Sequence, residues 1–97
     1  MIIVTLCFGD KNKEMRLFFI KAIKNLKKST PAKISKSLFS IYIEDGLKTM
    51  DYKIQNISIK DFEDFMDKEV KREFGESFDW FFERSSVEGI YGVDLSN

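Results

Sequence analysis

Residues 2 to 8 read Ile-Ile-Val-Thr-Leu-Cys-Phe, an apolar run broken only by Thr5 and rich in β-branched and aromatic types. The run is too short for a buried helix and does not alternate, so it reads as a strand buried on both faces, in the centre of a sheet. Gly9 and Asp10 end it, and from about Asn12 the apolar period changes. Met15, Phe18, Phe19, Ala22, Ile23 and Leu26 recur at spacings of three and four, which predicts an amphipathic helix. Its opposite face carries Lys13, Lys21, Lys24, Lys27 and Lys28, with Leu17 and Ile20 among them. Pro31 disfavours helical geometry at Thr30 and cannot itself continue the ladder, so the helix should end by Ser29.

Residues 37 to 55 alternate about Asp45-Gly46, a dipeptide suited to the positive φ angles of a two-residue hairpin turn. That loop sets Glu44 opposite Leu47, Ile43 opposite Lys48, Ile41 opposite Met50 and Phe39 opposite Tyr52. Phe39, Ile41 and Ile43 then share an inner face with Met50, Tyr52 and Ile54, and the outer face carries Ser40, Tyr42, Thr49, Asp51 and Lys53. A second helix is expected from Ser58, which forms a cap with Asp61 three residues on, and Phe62, Phe65, Met66, Val70 and Phe74 make its apolar stripe. Gly75 should end it. Ser77 then caps a short helix over Phe78 to Arg84, whose Trp80, Phe81 and Phe82 cannot all point into one core. A last strand over about Gly89 to Leu95 completes the order.

The order β-α-β-β-α-β predicts an α+β, ferredoxin-like domain spanning residues 1–97. Its four-stranded antiparallel sheet has helices on one face, strands one and three in the middle, and an extra short helix before the last strand. The fold hosts RNA binders, metal carriers, ligand-binding regulatory domains and inhibitors alike, so function has to be read from sites.

The net charge of zero conceals a division. Residues 1 to 36 hold nine Lys and Arg against Asp10 and Glu14, a balance of +7; the remainder carries −7, with nine acids between Asp61 and Glu83. Two surfaces of opposite potential, each able to steer a charged partner, make binding the first hypothesis. Both predicted helices lie on one face of the sheet, so part of this charge is expected to be neutralised helix against helix.

Reaction chemistry is sparse. The chain has no histidine, the commonest general base and metal ligand. Its one cysteine, Cys7, lies in the apolar run, where a packed thiol is expected rather than a nucleophile. Gly9 lacks the repeated glycines and the lysine of a phosphate loop. The spacing of Asp61, Glu63, Asp64 and Asp67 is that of a solvated helical face rather than a calcium loop. No enzyme activity, metal or cofactor is expected. The absence of a secretory signal pattern, of a long apolar stretch and of a second cysteine points to a reducing, cytoplasmic setting.

The reading that follows is a non-catalytic inhibitor binding another protein, such as a nuclease or nucleic-acid-binding effector. Its acidic second helix, with Asp61, Asp64, Asp67, Glu69, Glu73, Glu76 and Asp79, would mask a basic cleft, with Trp80 as an aromatic anchor. In kind, though in no aligned residues, the profile resembles bacterial toxin-immunity proteins and phage-encoded inhibitors of host defences. The alternatives are a nucleic-acid-associated protein using Lys13, Lys21, Lys24, Lys27 and Lys28, and a regulatory domain holding a small ligand. Direct nucleic acid binding ranks lower, because the open sheet face is expected to present Asp51, Lys53 and Gln55 rather than base-stacking aromatics. A homodimer pairing the opposite charges, or an edge strand near Leu38 to Tyr42, is a further expectation.

Overall fold

In the computed structural model, which describes residues 1–42 and 46–95, β1 (Ile2–Phe8) is followed by α1 (Lys13–Ser29), β2 (Lys33–Tyr42) and β3 (Leu47–Gln55). The chain continues through α2 (Ile59–Phe74), α3 (Phe78–Phe81), β4 (Glu83–Arg84) and β5 (Ile90–Leu95). The architecture is α+β, with both long helices on one face of a five-stranded mixed sheet ordered β2-β3-β1-β5-β4. Strands β1 and β3 lie side by side and antiparallel at its centre, as expected.

The sheet is not the four-stranded antiparallel one. After α3 the chain runs through β4 and reverses at a tight turn, in which the Ser85 amide donates to the Ile90 carbonyl at 2.9 Å and Gly89 adopts φ +84°. This extra reversal brings β5 back parallel to β1, with Ile3 opposite Ile90 and Phe8 opposite Leu95, and moves β4 to the edge. The short helix expected over Phe78 to Arg84 accordingly stops at Phe81.

The hairpin exists in a different register. β2 begins at Lys33 rather than residue 37 and pairs Ile34 with Ile54, Lys36 with Tyr52, Leu38 with Met50 and Phe39 with Thr49, with an irregularity between Ser40 and Tyr42. Phe39 is therefore opposite Thr49, not Tyr52, and the row facing the helices is read from Ile34. The offset from the expected register is three residues, and an odd slip exchanges the two faces of a strand, so Ile34 and Lys36 rather than the expected row starting at Phe39 stand opposite Ile54 and Tyr52. Gly46 keeps the positive φ of +67°; the expected pairings of Ile43 and Glu44, and Asp45 of the turn, lie outside the described residues.

β1 is buried on one face only. Ile2, Val4 and Leu6 are at most 1% exposed beneath the helices, whereas Ile3, Thr5 and Cys7 are half-buried on the open face. Phe19, Ala22, Ile23 and Leu26 of α1 and Phe62, Met66 and Val70 of α2 complete the core. The helices meet edge to face through Phe18 and Phe74, ring centres 4.8 Å apart. Their ends follow local chemistry: the Thr30 hydroxyl donates to the Leu26 carbonyl before Pro31, the Ser58 hydroxyl accepts from the Asp61 amide, and Gly75 stops α2 at φ +70°. No helix among the described residues is long and apolar enough to cross a membrane.

Candidate binding surfaces

The expected acidic surface is largely engaged within its own half of the chain. Asp64 pairs with Lys60 at 2.6 Å and Asp67 with Lys71 at 3.0 Å, each one helical turn apart. The Asp67 carboxylate also accepts from the Phe78 amide at 2.8 Å, so it caps α3 from a neighbouring helix, a role Ser77 was expected to fill and does not. These bonds, the Phe78 amide first and Lys71 second, hold the Asp67 carboxyl below the usual range. Glu69 departs most from expectation. It falls between Met66 and Val70 on the core side of α2, is 7% exposed, and reaches outward to Arg72.

A cluster that the sequence did not announce ties the C-terminal segment to α2. The Arg84 guanidinium bonds Glu63 at 3.1 Å, pairs with Asp79, and lies over the Phe78 ring, 5.0 Å from its centre. The Tyr91 hydroxyl donates to Glu63. Arg84 holds the Glu63 carboxyl below its ordinary value against the opposing effect of burial, and burial, then the Glu63 bond, raises the Tyr91 phenol. A phenol so raised stays protonated and a carboxyl so lowered stays ionised, so the trio works as a clamp rather than an acid–base pair. Of the expected contact residues, Asp61, Glu73 and Glu76 remain exposed without an ion pair to a described residue. The Trp80 side chain lies outside the described part of the structure.

The basic face is arranged differently. Lys13, Lys21, Lys24, Lys27 and Lys28 are all exposed, and none forms an ion pair with a described residue. The five ion pairs among the described residues join groups between Lys60 and Arg84; none links α1 to α2. The expected neutralisation of one helix by the other is thus absent among the described residues. Lys27 and Lys28 sit in the last turn, where they offset the helix dipole, but Lys13, Lys21 and Lys24 have no such role. Leu17 stands among them 63% exposed.

Between α1 and β2 this face deepens into a groove of about 180 Å³, lined by Ile20, Ile23, Lys24, Lys27, Ile34, Ser35, Lys36 and Tyr52. Tyr52 is 4% exposed, its ring edge-on to Phe19, and its hydroxyl bonds no described residue. Ile20, expected on the outer face among the lysines, lines this groove beside Lys24 and Lys27. Lys36 and Ile34 were missed because the hairpin was read as starting at residue 37; the alternation of Ile34, Lys36 and Leu38 against Lys33, Ser35 and Ser37 was the available signal.

On the open sheet face the described residues include Lys33, Ser35 and Ser37 of β2, Asp51, Lys53 and Gln55 of β3, and Thr5 of β1, which donates to Asp51 at 2.8 Å. In register, Phe39 of β2 stands opposite Thr49 and Tyr42 opposite Leu47. Cys7 lies on this face, and burial, then the Asp94 charge, pushes its thiol up, away from the nucleophilic form. No group of three metal-ligating side chains occurs among the described residues. Compared with protein-family models, curated proteins and solved structures, the chain matches none.

Proposed function

We propose that this protein is a non-catalytic inhibitor that acts by binding and masking another protein, with the basic outer face of α1 as its main contact. The observation that carries the reading is the unequal pairing of charge. Glu63, Asp64, Asp67, Glu69 and Asp79 pair with cations between Lys60 and Arg84, whereas the five lysines of α1 pair with no described residue. An unneutralised basic face with Leu17 and Ile20 inside it suits a partner whose acidic rim surrounds an apolar patch. The acidic face, Asp61 to Asp79, has its field weakened by four local ion pairs and by the burial of Glu69. A polyanion would use the lysines but not Leu17.

Co-purification from the source cell at low and high salt tests this. The expected result is a protein partner whose retention falls steeply with salt and is abolished by Lys21→Glu/Lys24→Glu/Lys28→Glu. Retention that survives this triple exchange but is lost in Asp61→Lys/Glu73→Lys/Glu76→Lys returns the contact to the acidic face. Recovery of nucleic acid alone overturns the protein-binding reading.

A further inference from the structure

Resting on the reading above, we infer that the groove between α1 and β2 receives an extended acidic peptide segment of the partner, which adds a strand to the free edge of β2. Three observations converge on one strip of surface.

The first is the edge. β2 ends the sheet order and no described residue pairs with its outer side, so from Lys33 to the irregularity at Ser40 it presents backbone donors and acceptors to solvent. The second is the groove, which runs beside that edge. A strand added to β2 would place every second side chain on the face of Ile34 and Lys36, beneath α1, where Ile20, Ile23 and Tyr52 form the rest of the lining. A volume of about 180 Å³ holds a side chain or two rather than a whole small molecule. The third is charge. Lys24 and Lys27 on the helix and Lys36 on the strand border the groove, Lys33 stands at the start of the edge, and the buried Tyr52 ring brings a hydroxyl with no described partner. These groups suit alternating acidic and aliphatic side chains.

The same lysines argue against a second copy as the occupant. Pairing β2 with its own counterpart would gather Lys33 and Lys36 of both copies, with Lys24 and Lys27 beside them, along one seam, an accumulation of like charge that opposes the contact. Lysine on an edge strand blocks self-pairing; here it leaves the edge open to a strand of opposite charge.

The test uses the full chain and a synthetic peptide of alternating glutamate and valine, with two controls: a peptide of equal charge carrying serine for valine, and a single-stranded oligonucleotide of equal charge. Binding is followed by fluorescence anisotropy, and the backbone by hydrogen exchange. The Glu-Val peptide should bind more tightly than either control and slow exchange of alternate amides within residues 33–39. It should lose affinity by about tenfold in Lys24→Glu/Lys27→Glu and in Lys36→Glu. These side chains are exposed, so unchanged thermal melting keeps the variants interpretable.

Peptide binding without slowed exchange along β2 overturns the strand-addition inference and leaves the protein-binding proposal standing. Slowed edge exchange together with concentration-dependent dimerisation in the absence of peptide assigns the edge to a second copy and overturns it likewise. Tighter oligonucleotide binding, lost in Lys24→Glu/Lys27→Glu, overturns both the inference and the proposal beneath it.

Discussion

Glu63 is the residue on which most of the C-terminal packing converges, since Arg84 and Tyr91 both bond its carboxylate from segments that follow α2. Its folded pKa is lowered, first by Arg84, so the stabilisation it contributes is fully present above the ordinary glutamate value of about 4.3. It is lost as the pH falls through the lower folded value. Glu63→Gln should therefore cost about 1 kcal/mol near neutrality, a modest figure because Arg84 is 45% exposed. Urea unfolding of variant and wild type should converge as the pH drops below about 4; a gap that persists unchanged in acid would show that the carboxylate charge is not what stabilises the clamp. No reading of residues 61 to 83 as an acidic run could separate Glu63 from its neighbours, because its partners lie 21 and 28 positions away.

Among the elements, α2 was the most legible from sequence, because what starts and stops it is local. Ser58 caps it through the Asp61 amide, and Gly75 ends it at φ +70° with open space around the position of a Cβ. Gly75→Ala should thus cost about 1 kcal/mol through backbone strain alone, read as a lowered denaturation midpoint at unchanged slope. Gly92→Ala in β5, also with open space but without a positive φ, should show no comparable loss. Equal effects at the two positions would remove backbone conformation as the cause. The hairpin was less legible for a physical reason. Alternation specifies which residues share a face within one strand, but the offset between two strands is decided by the total pairing they achieve. Here pairing from Lys33 onward won, and it is this offset that sets Ile34 and Lys36 beside α1.

At the scale of the whole molecule, β5 joins the chain's two ends: it is parallel to β1 and lies between β1 and β4, with Tyr91, Val93 and Leu95 buried. Truncation after Glu88 should remove a central strand and its core side chains and abolish cooperative unfolding by circular dichroism. A chain that still melts cooperatively without β5 would mean that β1, β3 and the helices form a sufficient core. The sequence by itself determined the apolar β1, the bounds of α1, the bounds and caps of α2, the presence of a hairpin and the segregation of charge along the chain. These depend on periodicity and on neighbours within a few positions. Only the tertiary structure decided the register of β2, the parallel seating of β5 and the pairing of charge, because each depends on which distant segments meet. The opposite halves of the chain form no ion pair with each other among the described residues: Glu63, Asp64, Asp67, Glu69 and Asp79 find bases between Lys60 and Arg84, and the lysines of α1 remain exposed around a groove that the sheet edge completes.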